Sequence, residues 1–251
     1  MDYLTLLKKF EAVSLKDLDS VQLLNRHDTK FVFNVENLTT ILTNLLPSYK
    51  ILKINEDLIF DYNNDYFDTS DFIFYTQHHN ENRNRFKIRY RNYKSTNTTF
   101  FEIKTKNNKN RTVKQRIKSE KISNTFNKDE EELINSVTGV NPSSLLKSIN
   151  IKFSRITLVD NNFTERLTID TNVNVLNNKN KKIFNKLIIA EIKQSKFNPK
   201  SYFIKCLKSQ SITRMKFSKY CMGLIHLNPE LKVNRFKPKL KILNKIISQE
   251  N

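Results

Sequence analysis

The chain has 251 residues, with 44 Lys or Arg against 25 Asp or Glu, which gives a formal net charge of +19 and an isoelectric point near 9.8. This surplus predicts a polyanionic partner: nucleic acid, an anionic membrane surface or a phosphate polymer. No run approaches the roughly 18 apolar residues that cross a bilayer, and Cys206 and Cys221 form neither a disulfide framework nor a metal-ligand pattern. The composition predicts a soluble, cytoplasmic, globular protein. Codon bias explains some surface lysines equally well, but not the arginines.

Periodicity and turn residues predict an α+β chain without an internal repeat or a linker. Helices are expected over 2–11, 15–24 with Ser14 as cap, 35–46 with Asn34 as cap, 128–150 and 199–227. Strand-like runs occupy 27–34, 49–54, 59–69, 85–93, 99–106, 111–118, 151–160, 165–173 and 186–194. We interpret residues 1–251 as one domain, with N-terminal helices over 1–25, a barrel with covering helices over 26–227 and a basic tail over 228–251.

The run NRFKIRYRNY, residues 84–93, has an unusual distribution of charge. In a strand, successive side chains point to opposite faces, so that its cations share one face and its hydrophobic residues share the other. The cations are Arg85, Lys87, Arg89 and Arg91, and the residues between them are Phe86, Ile88 and Tyr90. Like charges on neighbouring positions of one face repel one another, and an anion is therefore expected to hold this face together.

The same alternation recurs in the other predicted strands. The charged positions are Asp28 and Lys30; Glu102, Lys104 and Lys106; Lys114, Arg116 and Lys118; Arg155; Arg166 and Asp170; and Glu191 and Lys193. With helices available to cover the apolar faces, the pattern predicts a closed antiparallel β-barrel of about eight strands with its charges inside. Because unpaired buried cations cost several kcal/mol each, the lumen is expected to hold water or a chain of phosphates.

Nine motifs occur in a fixed order between Arg26 and Gly223: RHDTKF, YFDTSDFIFY, KIRYRNY, FEIKTK, VKQR, RITL, ERLTID, AEIKQ and FSKYCMG. In this order they resemble the catalytic domain of the vacuolar transporter chaperone (VTC) family. That family makes inorganic polyphosphate and belongs, with the CYTH triphosphatases and cyclases, to the triphosphate tunnel metalloenzymes. Each motif alone is weak, whereas nine in family order are specific. The resemblance implies a tunnel fold, ATP and inorganic polyphosphate as partners, and Mn²⁺ or Mg²⁺ as cofactor.

The resemblance also implies roles for particular residues. Those implied to hold phosphate are Lys30, Arg89, Arg91, Lys104, Arg155, Arg166 and Lys219, with Ser218 assisting beside Lys219. Five of them are expected to be catalytic: Arg89, Arg91, Lys104, Arg155 and Lys219. Glu191 is implied to ligate the metal. The alternation, with less support from the family, adds Arg85, Lys87, Lys114, Arg116 and Lys193 as phosphate-binding residues. Arginine offers bidentate forks for phosphate, and lysine offers a mobile point charge.

The first motif departs from the CYTH pattern in a way that bears on the reaction. CYTH triphosphatases and cyclases begin with ExExK, whereas this chain has RHDTK, so that Arg26 replaces the first Glu and Asp28 stands for the second. A hydrolase has to orient and activate a water, whereas a polymerase uses the anionic end of its growing chain, which needs no general base. The sequence favours a metal-dependent polyphosphate polymerase. A CYTH-like triphosphatase is the alternative, and loss of activity during divergence leaves the same pattern.

Binding without catalysis is the alternative from another class, with polyphosphate, RNA or an inositol polyphosphate as the ligand. Nucleic acid is disfavoured because the aromatic residues alternate with the arginines and are expected on the opposite faces, where they cannot stack on bases. His78 and His79 are interpreted as loop residues rather than metal ligands, and Asp68 as the cap of a turn. The basic tail is interpreted as a solvated helix rather than a membrane or nucleic-acid site.

Overall fold

The computed structural model describes residues 2–19, 26–108 and 111–248. The strands are β1 (Ala12–Val13), β2 (His27–Asn34), β3 (Tyr49–Leu52), β4 (Phe60–Thr69), β5 (Arg85–Tyr93), β6 (Thr98–Lys106), β7 (Thr112–Ser119), β8 (Leu145–Asp160), β9 (Glu165–Leu176), β10 (Lys181–Phe184) and β11 (Leu187–Gln194). The α-helices are α1 (Tyr3–Leu7), α2 (Leu15–Asp19), α3 (Glu36–Leu45), α4 (Ile73–His79), α5 (Lys128–Thr138), α6 (Tyr202–Ser209), α7 (Lys219–Leu227) and α8 (Lys237–Ser248). Short 3₁₀ helices lie at Pro142–Ser144 and Asn234–Phe236.

These strands form one sheet, whose main path of eight runs in the order β2-β11-β9-β8-β4-β5-β6-β7. Neighbours along this path are antiparallel. Strands β3 and β10 pair at its side with β8 and β9, also antiparallel, while the two-residue β1 runs parallel to β3. The antiparallel arrangement and the eight-stranded path agree with the prediction from the alternating runs.

The predicted closure of the barrel is not confirmed, because no ladder among the described residues joins the end strands β2 and β7. The free edge of β2 has another partner. The backbone N–H of Met215 donates to the carbonyl of Lys30 at 2.8 Å, and Arg214 forms a bridge with Phe31. At the other end of the path, β7 is exposed over most of its length. The connection between α6 and α7 thus covers the edge that a closed barrel would pair with β7.

One face of the sheet, here called the outer face, carries the hydrophobic residues of the alternation and is covered by helices. Helices α1, α3 and α6 pack on the end formed by β2, β11, β9 and β8. On β5 and β6 a second cluster contains Ile88, Tyr90, Phe101 and Ile103, which pack with Ile134 of α5. Because each fully buried Leu, Ile or Phe contributes about 1.5–3 kcal/mol, this face supplies a large part of the stability of the fold.

The opposite face, here called the inner face, is charged over one part and apolar over another. Helix α7 buries Tyr220 and Leu224 in the apolar part, against residues of β8, β9 and β11. Gly223 permits this close approach, since a Cβ there would lie 2.7 Å from Cδ1 of Ile149 and 3.0 Å from Cγ1 of Val175. The docking of α7 places its first residue beside the charged part of the inner face.

Several predicted boundaries differ from the structure. The helix predicted over 128–150 ends at Thr138, because Gly139 has a left-handed φ of +68° and Pro142 begins a 3₁₀ turn, after which β8 already starts at Leu145. The helix predicted over 199–227 is two helices separated by residues 210–218, and β10 was not predicted. Helix α1 is shorter than predicted, and residues 20–24 of the second predicted helix lie outside the described residues.

The predicted cap residues do accept hydrogen bonds from helix N–H groups. Oγ of Ser14 accepts from Asp17 at 3.3 Å, and Oδ1 of Asn34 accepts from Glu36 at 3.0 Å. Such side-chain oxygens satisfy N–H groups that have no partner within the helix. Across the described residues, we find no helix that is both long and apolar enough to cross a membrane.

Asp68 caps a turn, as predicted, and in doing so it fixes the start of α4. Its buried carboxylate accepts hydrogen bonds from the backbone N–H groups of Phe74 and Tyr75 and from the hydroxyl of Tyr220. The prediction that His78 and His79 lie in a loop is wrong, because both belong to the last turn of α4. The carboxylate that initiates this helix precedes it by several residues, so hydrophobic periodicity alone does not reveal the helix.

Candidate active site

The strand registers decide which charges of the inner face meet. On β5 and β6, Lys87 lies opposite Lys104, and Arg89 lies opposite Glu102. One row therefore joins two cations, and the next row joins a cation to a carboxylate. Directly opposite like charges destabilise a sheet, and opposite charges stabilise it. The inner face is accordingly a mixture of compensated and uncompensated cations.

Glu102 is the first of three carboxylates that lie between two cations. Nε and Nη2 of Arg89 donate to its Oε2 at 2.9 and 2.5 Å, and Nζ of Lys114 lies 3.0 Å from its Oε1. Nη1 of Arg89 also donates to the hydroxyl of Tyr66 at 2.8 Å. Burial of Glu102 opposes its ionisation, but the charges of Arg89, Arg91 and Lys114 prevail and hold its pKa well below the ordinary value. The ionised carboxylate compensates both of its neighbours.

Asp170 occupies the same position between Arg155 and Lys219. Nε and Nη2 of Arg155 donate to the two carboxylate oxygens at 2.6 and 2.8 Å, and Nζ of Lys219 donates to Oδ2. Burial opposes ionisation of this carboxyl as well, yet the charges of Arg155 and Lys219 lower its pKa to about 2. The guanidinium of Arg155 lies 5.1 Å from the ring centre of Tyr62 and 5.2 Å from that of Phe153. Lys219 thus joins α7 to β9 through one shared carboxylate.

Glu191 is the third such carboxylate, and its contacts are longer. Nζ of Lys30 lies 3.5 Å from Oε1, and Nζ of Lys193 lies 3.6 Å from Oε2. The charges of Lys30 and Lys193 outweigh the effect of burial and hold the pKa of Glu191 below its ordinary value. Burial lowers the pKa of Lys193 to about 8, although the charge of Glu191 works in the opposite direction. Both lysines form ion pairs with this carboxylate, but their contacts are longer than those of a tight hydrogen bond.

Several further cations of the inner face have no carboxylate partner among the described residues. They include Arg91, Lys87, Lys104 and Arg166. Nε of Arg91 donates to Oδ1 of Asn64 at 2.8 Å, and its guanidinium lies 5.3 Å from the ring centre of Tyr62. Burial and the charge of Arg89 lower the pKa of Arg91. A neutral amide and a ring are weak substitutes for an anion, so this charge remains available to a ligand.

Lys87, Lys104 and Arg166 also have lowered pKa values, as expected for cations without a carboxylate partner. The charge of Arg89 and then burial lower the pKa of Lys104 well below its ordinary value, and burial lowers the pKa of Lys87. For Arg166, burial and the charge of Arg26 have the same effect. An incoming anion would reverse these shifts by stabilising the charged forms.

A cavity of about 720 Å³ lies between the two ends of the sheet. Lys87 and Lys104 belong to one wall, and Lys30, Glu191 and Ser218 belong to the facing wall. The charge of Glu191 also acts on Lys104, although β11 and β6 are far apart along the sheet path. The sheet therefore curls until the inner faces of its two ends share one cavity.

The structure distributes the predicted site residues over three places. Lining the cavity are Lys30, Arg85, Lys87, Lys104, Glu191 and Ser218. On the inner face, but not among the described residues that line this cavity, are Arg89, Arg91, Arg155, Arg166, Lys193 and Lys219. The last two, Lys114 and Arg116, lie on the exposed edge strand β7. Ser218 is the N-cap of α7, since its Oγ accepts from the N–H of Cys221 at 3.3 Å.

The expectation that aromatic rings lie on the faces opposite the arginines is wrong for the inner face. Arg89 lies over Tyr66 with 5.6 Å to the ring centre, and Arg116 lies over Phe100 with 4.5 Å. Tyr66 is only 7% exposed, so its ring is occupied by packing and by its cation. Such contacts are worth about 0.5–2 kcal/mol and hold the guanidinium groups in place.

His78 also lines the cavity, which the sequence did not predict. Its Nε2 lies 3.0 Å from the carbonyl oxygen of Phe86. Burial, followed by the charge of Lys87, lowers the pKa of His78 to about 2, so the ring is neutral. A protonated histidine would add to the positive charge of the cavity, and its neighbours prevent this.

Sequence reasoning missed the role of Glu102 and Asp170. Alternation placed both on the charged face, which was the available signal. It did not indicate that each lies between two cations, because that depends on register and on the docking of α7. Without these carboxylates, Arg89, Lys114, Arg155 and Lys219 would lack compensation.

The donor set of the cavity fits a divalent metal held mainly by a ligand. The described residues contain no cluster of three or more His, Cys, Asp or Glu side chains able to hold a metal ion. Glu191 faces the cavity, and Asp28 lines it from β2. Mg²⁺ and similar ions are commonly bound by one or two carboxylates together with phosphate oxygens and water. The cavity can complete such a site only when phosphate is bound.

Comparison with known proteins assigns the family. The sequence model of the VTC domain matches residues 25–228. The chain belongs to the VTC-domain family. No curated protein matches this VTC-domain chain significantly.

Several solved structures are similar in fold to the VTC-domain chain. A Hippeastrum protein, assigned as an adenylyl cyclase and described as having a dominant triphosphatase activity, is 12% identical with a TM-score of 0.51, over 82% of this chain and 96% of its own. A Vibrio parahaemolyticus protein assigned as an adenylate cyclase is 11% identical with a TM-score of 0.46, over 79% and 98%. One from Bacillus halodurans, with the same assignment, is 16% identical with a TM-score of 0.43, over 85% and 97%.

Arg89→Gln and Arg91→Gln, two positions apart on β5, are expected to separate structural pairing from anion binding. Loss of Arg89 leaves the buried Glu102 with Lys114 alone, so the free energy of unfolding should fall by roughly 3 kcal/mol. Loss of Arg91, which meets no carboxylate among the described residues, should leave that free energy unchanged or raise it. Both variants should lose about 1.5–3 kcal/mol of triphosphate binding. Urea unfolding and titration calorimetry measure the two quantities, and equal destabilisation would contradict the assignment.

Triphosphate binding by this VTC-domain protein is expected to depend on the protonation of Lys193. Its pKa is about 8 in the free protein, and a bound phosphate favours the ammonium form, so binding above this pH takes up a proton. Affinity should therefore fall as the pH rises through about 8. Lys193→Arg keeps the charge without titrating in this range. Calorimetry in buffers of different ionisation enthalpy should show less proton uptake for Lys193→Arg, and identical uptake would argue against Lys193.

Proposed function

We propose that this protein is a polyphosphate polymerase, which transfers the γ-phosphoryl group of ATP to the end of a growing inorganic polyphosphate chain. The observation that supports the proposal is the charge balance of the inner face. Among the described residues, six cations share three carboxylates, and at least four further cations have none. A surface with this surplus is complementary to an anion of several charges, such as a chain of phosphates.

The inner face is proposed to act as the tunnel wall. The curled sheet supplies three sides, and the connection between α6 and α7 supplies the side between β2 and β7. Phosphate binding draws the two ends of the sheet together, because Lys104 on β6 and Lys30 on β2 then share one anion. The tunnel in this proposal is closed by its ligand and by a connecting segment rather than by a backbone ladder.

In the proposed reaction, a terminal oxygen of the polyphosphate chain attacks the γ-phosphorus of ATP. The bond between that phosphorus and the oxygen bridging to the β-phosphate breaks, ADP leaves, and the chain is one phosphate longer. The uncompensated cations Arg91, Lys87 and Lys104 hold the phosphates in line, and Arg155 and Lys219 stabilise the charge that develops on the transferred group. Phosphoryl transfer depends chiefly on such positioning and neutralisation.

A divalent metal, Mn²⁺ or Mg²⁺, would supply additional neutralisation of the phosphate oxygens when bound. Glu191 is the residue proposed to hold it. The contacts of 3.5 and 3.6 Å to Lys30 and Lys193 are long for charge-assisted hydrogen bonds, so these lysines can turn to phosphate when the carboxylate takes a metal. In this role Glu191 would hold the metal, and Lys30 and Lys193 would bind phosphate oxygens.

The same carboxylates support transfer to a chain over transfer to water. Glu102 and Asp170 are each committed to two cations, and Asp28 is paired with Arg26 at 3.0 Å. Because the pKa values of Glu102 and Asp170 are lowered, these two carboxylates are poor bases for activating water. A terminal phosphate oxygen is already an anion and needs no base. This argument extends the departure from the ExExK pattern at Arg26 and Asp28.

Hydrolysis of triphosphate is the second candidate, supported by the fold shared with the Hippeastrum protein that is described as a triphosphatase. It requires the same phosphate-binding residues and differs only in the acceptor. The two candidates therefore differ in their products and not in their binding site.

Incubation of the protein with ATP and Mn²⁺ is expected to yield a ladder of polyphosphate on a polyacrylamide gel, with ADP in equal amount to the phosphate incorporated. Arg91→Gln serves as the control with weakened phosphate binding. Release of orthophosphate without any polymer, at every enzyme and ATP concentration, would establish the hydrolase in place of the polymerase.

Glu191→Gln is expected to abolish the Mn²⁺-dependent part of triphosphate binding, because the variant lacks the proposed ligand. Without metal, its affinity for triphosphate should equal or exceed that of the wild type, since a negative charge facing the phosphates is removed. Electron paramagnetic resonance of Mn²⁺ with triphosphate, together with calorimetry, measures both effects. Glu81→Gln is the matched control, because Glu81 also lines the cavity but lies apart from Glu191. Unchanged Mn²⁺ binding in Glu191→Gln would make this carboxylate an ion-pair partner only.

A further inference from the structure

A second group of cations lies along the same cavity, beyond the row formed by Lys87 and Lys104. We call this group the cationic rim; it comprises Arg85, Lys106, Arg214, Lys216 and Lys239. None of the five forms a salt bridge with a carboxylate in the part of the chain that the structure describes. With Lys30, Lys87 and Lys104, eight cations among the described residues line the cavity against three acids, Asp28, Glu81 and Glu191. This surplus produces a strong positive potential in the cavity.

The rim continues the rows of the inner face in a regular way. Arg85 lies opposite Lys106 in the same register that sets Lys87 opposite Lys104. Two residues along an extended strand span about 6.8 Å, and both rows point to the same face. An anion that contacts both rows has to be extended along the strands. A compact anion held at the row of Lys87 and Lys104, here called the inner row, leaves the rim free.

The facing wall of the rim comes from the connection between α6 and α7. Arg214 and Lys216 flank Met215, whose N–H is bound to the carbonyl of Lys30. This hydrogen bond fixes the connection against β2 and holds the two cations at the cavity. Burial and the charges of Arg85 and Lys216 lower the pKa of Lys106. The rim thus has cations on both sides of the cavity, close enough to influence one another.

Lys239 comes from α8, which lies after the part of the chain matched to the VTC domain. Helix α8 is fixed to the sheet, since Leu243 is fully buried and Nδ2 of Asn34 donates to the carbonyl of Ile246 at 3.0 Å. Nζ of Lys239 lies 5.2 Å from the ring centre of Phe236. That contact restrains the ammonium group at the cavity. The basic tail, interpreted from the sequence as a solvated helix, therefore contributes a side chain to the cavity.

We propose that the cationic rim is a second phosphate subsite, which binds the distal phosphates of a polyphosphate chain whose end lies at the inner row. The proposal rests on the proposed function, because it takes polyphosphate as the ligand of that cavity. It adds that chains longer than triphosphate gain affinity from the rim and that the chain extends past Lys106 toward α8. The two phenylalanines that line the cavity, Phe217 and Phe236, are only 7% and 6% exposed. They offer no free ring for a base, which favours bare phosphates over nucleic acid.

The test compares two probes, inorganic triphosphate and a size-fractionated linear polyphosphate several times longer, by calorimetry at physiological salt and without metal. The variants are Lys106→Gln, Lys216→Gln and Lys239→Gln. Lys241→Gln is the matched control, because Lys241 lies on the same helix, is exposed and does not line the cavity. Each rim variant should weaken binding of the long chain by about fivefold and binding of triphosphate by less than about twofold. The control should change neither.

Three results would overturn the rim as a distal subsite. Equal weakening of both probes would make these lysines a general electrostatic field, and unchanged binding of the long chain in all three variants would remove them from the ligand path. Displacement of the long chain by single-stranded RNA of equal length at equal affinity would also refute it. Because the test measures binding alone, its failure leaves polymer synthesis from ATP to be judged separately by the gel. Thermal unfolding of each variant checks that the fold is retained.

Discussion

Mutual repulsion among the cations of the inner face is the constraint on which the rest of the structure depends. Two unit charges about 5 Å apart interact by roughly 3 kcal/mol at an effective dielectric constant of 20, and this face gathers many such pairs. Three carboxylates, each between two cations, reduce this repulsion: Glu102, Asp170 and Glu191. One carboxylate between two cations leaves a net positive charge at every such site. The carboxylates thus compensate enough positive charge for the chain to fold. The charge that remains uncompensated is available to bind a polyanion.

Helix α7 connects this electrostatic arrangement to the packing of the core. Its apolar residues fill the part of the inner face that carries no charge, and Gly223 lets the helix approach β8 and β9 closely. The same docking sets Lys219 on Asp170 and caps the helix with Ser218 at the cavity. Because the preceding segment pairs with the edge of β2, the sheet does not close on itself. The open side of the sheet and the position of the cavity therefore follow from how α7 is anchored.

The sequence was sufficient where a pattern is local and insufficient where a contact is distant. Strands β2 and β5 match their predicted bounds, and in β5 cations alternate with apolar residues from Arg85 to Arg91. Helix α4 was missed because its start is held by Asp68, and the strand from Leu145 to Asn150 was assigned to a helix because its apolar residues fit either period. Alternation placed Glu102 on the charged face but could not reveal Arg89 as its partner, since register depends on the whole hairpin. Arg214 and Lys216 were predicted to lie in one long helix. They reach the cavity because the helix is interrupted between Ser209 and Lys219, and the composition of this segment does not indicate the interruption.

Charge balance also bears on how one fold serves different phosphate reactions. Cations on the walls bind triphosphate whether the acceptor is water or another phosphate, so binding residues alone do not distinguish the two reactions. Carboxylates that remain free of cation partners can act as bases, whereas carboxylates committed to two cations cannot. In this chain Asp28, the residue in place of the second Glu of ExExK, is itself paired with Arg26, which replaces the first. Under the proposed function, an arginine in place of the first acid and its ion pair with Asp28 leave fewer free carboxylates to activate water, which favours the charged end of a phosphate chain as the acceptor.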